Sequence, residues 1–244
     1  MGYLDFFSVG LSEAYKKVKI FFPNFPTSCL PGNTIKMKAL FCSSTMHRYF
    51  IINKPSNMVS QFVSPEAVPL LGELDFDFPE GTHAIGRLDK DSEGLLLLTT
   101  DKKVTRLLFL ASKPHLRTYL VMVQNKVSVE TLEQLKNGIP IKVEKGEMYI
   151  AKPTAIEIIS NPLQYYPFAD DHREAYPHTW LLITLTEGKF RQVRKMVMAA
   201  KHPCRRLIRL SISNMHLDDL KPGEVKEFDK ETFYRFLEIN LSES

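Results

Sequence analysis

Cysteine is scarce in this chain. Cys29, Cys42 and Cys204 are spread over 244 residues, far apart and odd in number. They provide neither a disulfide framework nor a zinc cluster, which suits a reducing cytosol. Long apolar runs are missing too. The four leucines at 95–98 fall far short of the roughly 18 apolar residues that a membrane span requires. No basic segment leads into an apolar stretch with a small-residue cleavage site, so no secretory leader is expected. Phe6 stands where a myristoylation signal after Gly2 needs Ser or Thr. Gly86, Gly94, Gly138 and Gly188 form no phosphate-binding fingerprint. No Gly-x-Ser-x-Gly elbow occurs. His202-Pro203-Cys204 lacks the second cysteine and the acid of a zinc deaminase. Nor does a repeat appear at solenoid periods. The expectation is a cytoplasmic protein with no membrane partner, no metal and no nucleotide cofactor.

What is present is an ordinary globular composition in one large domain or two small ones. The net charge of +4 says less than its distribution. Between Glu187 and Arg209 lie Lys189, Arg191, Arg194, Lys195, Lys201, Arg205, Arg206 and Arg209. Such a stretch is either a solvated face or a surface that meets phosphates.

Residues 1–45 are broken by Pro23, Pro26, Pro31 and Gly32 and show no period, so an N-terminal extension is expected there. From residue 46 to about 240 the pattern becomes that of a domain. Strands rich in Ile, Leu, Val, Tyr and Thr are predicted at 48–52, 82–86, 95–100, 116–124, 153–159, 179–186 and 204–213. Helices are predicted at 101–111 behind Asp101, and at 128–137 between Ser128 and Gly138. Two more are predicted at 190–200, with Val193, Met196, Val197 and Ala200 on one stripe, and from Asp229 to about 237. Strands outnumber helices without strict alternation, which argues for an α+β fold with a mixed, mostly antiparallel sheet. The stretch 160–178, with Tyr165, Tyr166, Asp170, Asp171 and His172, reads as a long excursion.

Three segments carry chemistry. Gly86-Arg87-Leu88-Asp89-Lys90-Asp91-Ser92-Glu93-Gly94 runs straight into the four leucines, which places Asp89 at the edge of a core strand. A carboxylate there is fixed in position and partly dry. A calcium loop would need Glu at its twelfth position, and Thr100 stands there. The plain reading, a polar turn between strands, stays open on the residues alone. Arg117-Thr118-Tyr119-Leu120-Val121 puts Tyr119 on a strand, where a core tyrosine is the plain reading. Glu187-Gly188-Lys189-Phe190-Arg191-Gln192-Val193-Arg194 opens the third predicted helix and puts Arg191 and Arg194 on one face.

Taken together and in this order, with Asn53-Lys54-Pro55 running on to Val59-Ser60-Gln61-Phe62, these segments resemble the pseudouridine synthases. The likeness is to the branch that modifies ribosomal RNA, and within it to the E-type group acting on the large subunit. The resemblance spans about residues 46–228 and implies the fold of that family, a sheet flanked by helices around a central catalytic cleft. It implies that Asp89 is the essential carboxylate, that Tyr119 packs on the target base and that Arg194 pairs with Asp89. A fixed guanidinium would keep such an acid ionised. It further implies a monomer whose Arg87, Arg117, Lys189, Arg191, Gln192, Lys195, Arg205 and Arg206 meet RNA. The Asn53-Lys54-Pro55 segment would be chiefly structural. The implied reaction detaches a uracil at N1 and rejoins it through C5, which requires no cofactor. Two rivals are an RNA-binding assembly factor, which could dispense with Asp89, and an enzyme on free nucleotides, which would not need the basic stretch.

Overall fold

The computed structural model describes residues 46–110, 114–169 and 176–240. The predicted extension 1–45 lies outside them, as do Ala111, Asp170, Asp171 and His172. In chain order the strands are β1 (Tyr49–Lys54), β2 (His83–Ile85), β3 (Glu93–Thr99), β4 (Arg117–Gln124), β5 (Ile139–Lys142) and β6 (Met148–Ala151). They continue with β7 (Ala155–Ile159), β8 (His178–Leu185), β9 (Cys204–Ile212), β10 (Met215–His216) and β11 (Val225–Phe228). The helices are α1 (Lys102–Leu110), α2 (Val129–Asn137), α3 (Gln192–Ala199) and α4 (Lys230–Phe236).

The main sheet has the order β11-β1-β3-β9-β4-β8-β7, with β2 on β3 and β10 on β9, while β5 and β6 form a separate hairpin. Its pairings are antiparallel except at one place, where Glu93 and Gly94 of β3 lie parallel to Ile208 and Arg209 of β9. The fold is the expected α+β type. A run of four leucines fits β3 because both faces of this inner strand are buried. Leu95 and Leu97 join Ile51, Leu120, Met122, Ile208 and Leu210 on one face, while Leu96 and Leu98 join Phe50 and Ile52 on the other.

That second face is divided. Phe50, Ile52, Leu88, Leu96 and Leu98 form one cluster, and Tyr119, Val121, Leu181, Ile183, Val193 and Leu207 form another. The cleft described below draws lining residues from both. Caps fix the helices around this frame. Ser128 Oγ accepts from the Thr131 amide, and Asp229 Oδ1 accepts from the Thr232 amide. Asp101 accepts from the Lys103 amide at α1 and also from the hydroxyls of Tyr49 and Tyr234, which ties α4 to β1 and α1.

Candidate active site

A cleft of about 770 Å³ opens where the β2–β3 loop, β4, β9 and the turn before α3 converge. Asp89, Tyr119, Arg191, Arg87, Arg117 and Lys189 all line it. The Asp89 loop is held from several sides. Ser60 Oγ donates to the Leu88 carbonyl and accepts from the Leu88 amide. The Ser92 amide donates back to the Asp89 carbonyl at 3.0 Å. Lys54 Nζ, fully buried, donates to the carbonyls of Pro55 and Met58 and, at 3.4 Å, to that of Lys90. The Asp89 backbone is thus fixed while its carboxylate, a quarter exposed, is left to the cleft.

Burial lowers the Lys54 pKa to about 8, although Glu93, Asp91 and Asp89 nearby oppose the shift. Between about pH 8 and the ordinary value of 10.5 the unfolded chain therefore holds this proton more tightly than the folded one. Stability contributed by this residue should rise with pH across that window. Chemical denaturation of wild type and Lys54→Met at several pH values should show the wild-type rise and its loss in the variant. Parallel pH profiles would refute it.

The arginine beside Asp89 is not the expected one. Arg191 Nη1 lies 3.6 Å from Asp89 Oδ2, and both Nη atoms bond Asp91 at 3.0 and 2.9 Å. Arg194 instead donates through Nη2 to the Asp91 carbonyl at 2.7 Å and to Ser92 Oγ, with Nη1 3.4 Å from Asp91 Oδ2. Arg191 precedes α3 in the left-handed region, φ 53° and ψ 33°, and the two arginines converge on Asp91. The hydrogen bonds from Arg191 hold the Asp91 carboxyl below its usual range. Arg194 thus supports the loop through Asp91 and Ser92, and Arg191 supplies charge to Asp89.

Tyr119 is buried on β4 with its edge in the cleft, opposite Arg209 of β9. Arg209 belongs to the basic stretch of the sequence, yet it is only 5% exposed. Its Nε donates to the Leu95 carbonyl at 2.8 Å, and burial lowers its pKa, partly offset by the Tyr119 phenol. Gln192, expected to meet RNA, is buried and spent on the turn. Its Oε1 accepts from the Lys189 amide and its Nε2 donates to Glu187, whose carboxylate also accepts from Tyr149. Lys195 lies beside the Phe190 ring, outside the cleft lining. Arg117 Nη1 donates to the carbonyls of His115 and Thr186 at the rim. The sequence alone assigns no role to Ser60 or Glu187; both lie in the motifs, and only packing shows what they do. Arg209, read as part of a solvated or phosphate-facing stretch, is instead buried.

Arg205 and Arg206 do not reach the cleft. Arg205 bonds Gln124, and Arg206 forms a bidentate pair with Glu93 beneath the Tyr166 ring. With side chains 19% and 12% exposed, this second pair belongs to the core rather than to an RNA surface. Arg206→Ala should therefore leave Glu93 stranded and lower stability by on the order of 3 kcal/mol in urea denaturation. Neutralising Arg87 or Lys189 should instead flatten the dependence of RNA affinity on salt, by roughly one ion for each phosphate left without its cation. A normal melt for Arg206→Ala with a flattened salt slope would reverse these roles.

A profile described as RNA pseudouridylate synthase matches residues 48–199, a span that holds Asp89, Tyr119, Arg191 and Arg194. The chain belongs to the RNA pseudouridylate synthase family. The chain is 38% identical over 181 residues to ribosomal large subunit pseudouridine synthase E of Vibrio vulnificus, covering 74% of each chain. It is 33% identical to the protein of the same name from Xanthomonas axonopodis pv. citri, covering 70% of this chain and 89% of the relative. It is also 31% identical to ribosomal small subunit pseudouridine synthase A of Escherichia coli, over 75% and 71% of the two chains. A crystal structure of a pseudouridylate synthase superposes with a TM-score of 0.60 at 26% identity, covering 78% of this chain and 74% of the other. As a member of this family, the chain is an enzyme that acts on RNA, as the motifs imply.

Proposed function

We propose that this protein converts a uridine of ribosomal RNA, in the large subunit, into pseudouridine, with Asp89 as the reacting carboxylate. What carries the reading is how Asp89 is held. Its backbone is fixed by the Ser60–Leu88 and Ser92–Asp89 bonds, while among the described residues its side chain has the 3.6 Å pair with Arg191 alone and lines the same cleft as Tyr119. A fixed carboxylate with uncommitted oxygens is what attack on a nucleotide requires, because no bond has to be broken before it reacts. The substrate assignment is supported by relatives whose names specify the ribosomal large subunit.

The target uridine must leave the stack to reach this depth, as for other base-modifying enzymes. The N1–C1′ bond then breaks with the Asp89 carboxylate adding to the sugar or to the ring. The freed uracil turns, C5 joins C1′, the bond to Asp89 breaks to return the free carboxylate, and the C5 proton departs while N1 gains one. Bonds and protons balance within one nucleotide, so the scheme needs no external reactant. Tyr119 supports the base, Arg191 pairs with Asp89, and Arg87, Arg117 and Lys189 meet the phosphates without reading sequence. Residues 46–240 would act as the catalytic domain, monomeric and cytoplasmic, with 1–45 as an extension. No helix among the described residues is long and apolar enough to cross a membrane.

Pseudouridine mapping of ribosomal RNA from cells with and without the protein tests the proposal. One large-subunit position should revert to uridine in its absence. An unchanged map, together with no tritium released from C5-labelled ribosomal RNA by the purified protein, would refute it.

A further inference from the structure

We propose that Phe190 is a stacking platform for the nucleobase adjacent to the target uridine, an inference that rests on the ribosomal-RNA reading above. Phe190 is 60% exposed, yet it lines the cleft rather than an outer face. Scattered exposed apolar residues need no explanation. This one is distinguished by its place and its rigidity. The turn carrying it is closed by the Gln192 amide on the Lys189 carbonyl and by the Lys189 amide on Gln192 Oε1. Gln192 is in turn fixed to Glu187 at 2.6 Å. On the other side Arg191 is locked onto Asp91 from its left-handed backbone. The turn that carries Phe190 is therefore anchored on both sides, so ordering its backbone on binding costs little.

The chemistry around the ring favours a base. Lys195 Nζ lies 5.3 Å from the ring centroid over one face, and Phe190, 60% exposed, is part of the cleft lining. Arg87, Arg117, Lys189 and Arg191 line the same cleft, so the chain passing Phe190 carries negative charge. Extracting a uridine breaks its stacking with the nucleotides on either side, and a π surface at the mouth of the cleft makes good one of those losses. Any base has a π face, so Phe190 should contribute affinity without choosing sequence.

The test compares the full-length wild type with Phe190→Ala, Phe190→Leu, Phe190→Tyr and Phe190→Trp. Tritium release from C5-labelled, deproteinised ribosomal RNA gives kcat and KM, and thermal melts check folding. Ala and Leu should raise KM by roughly 5- to 100-fold with a smaller change in kcat, as expected for losing one stacked base. Tyr and Trp should restore KM to within about threefold. Leu separates stacking from simple apolar burial, since it keeps apolar area but has no π face. A wild-type protein active on this RNA, with Ala or Leu matching its KM or with Tyr and Trp failing to rescue, would overturn the stacking role alone. A wild-type protein that releases no tritium from ribosomal RNA would overturn the substrate reading and take this inference with it.

Discussion

Asp89→Asn should fold and bind RNA normally and yet lose isomerisation by a thousandfold or more, about 4 kcal/mol of barrier. The bonds that hold this loop are made by its backbone or by other side chains. Ser60 holds Leu88, Lys54 holds Lys90, and Arg194 holds Asp91 and Ser92. Asn keeps the shape of Asp and still offers an oxygen to Arg191, whose main partner is Asp91. Only the carboxylate proposed to react disappears. Arg194→Ala is the contrasting variant. Its guanidinium is largely buried, and removing it frees the Asp91 carbonyl and Ser92 Oγ, so stability should fall by on the order of 2 kcal/mol. The two variants should then separate in a thermal melt although both are poor catalysts. Tritium release by Asp89→Asn near the wild-type rate would remove Asp89 from its role and make Asp91 or Glu93 the next carboxylate to test.

Much of this architecture is legible in the chain because local signals and packing agree. The leucines at 95–98 demand an inner strand, and β3 is one. Ser128, Gly138 and Asp229 bound their helices where expected. β5 and β6 are hidden in the sequence because each has four residues, Pro140 sits in one of them, and no run long enough to show a period exists. β11 is hidden because Lys226 and Glu227, exposed on a sheet edge, dilute its alternation.

The site is legible in its residue types but not in its pairings. Asp89, Tyr119 and Arg191 do meet in one cleft. Helical spacing does not say which of Arg191 and Arg194 lies beside Asp89, because Arg191 stands before α3 in a left-handed backbone and both arginines meet Asp91. The basic run 205–209 misleads for another reason. Charge predicts exposure only until a strand is enclosed, and β9 is exposed at Arg205 but buried from Leu207 on, so half-buried Arg206 pairs with Glu93 and buried Arg209 with the Leu95 carbonyl.

Gly94→Ala should be the most destabilising small substitution in the site. It stands where β3 and β9 run parallel, opposite Arg209, with φ +95°. A Cβ there would come within 2.4 Å of the Arg209 carbonyl oxygen, 2.8 Å of its nitrogen and 3.0 Å of Ile208 Cγ2. Two of these are backbone atoms of an inner strand that β4 holds from its other side, through Tyr119 opposite Arg209 and Leu120 opposite Ile208. They have nowhere to go, so relief must come from parting β3 from β9, which also breaks the Arg209–Leu95 bond beneath Tyr119. Backbone strain and overpacking of about 1–3 kcal/mol each combine to about 4 kcal/mol. For a domain of this size that lowers Tm by roughly 8–16 °C. Gly81→Ala is the control, since Gly81 has φ +82° with nothing within 4 Å of its Cβ position, so it reports backbone strain alone. Urea denaturation of the two variants should place Gly94→Ala well below Gly81→Ala. Equal midpoints would mean that β9 yields to the added methyl, and that the glycine after Glu93 is required only for its backbone angle.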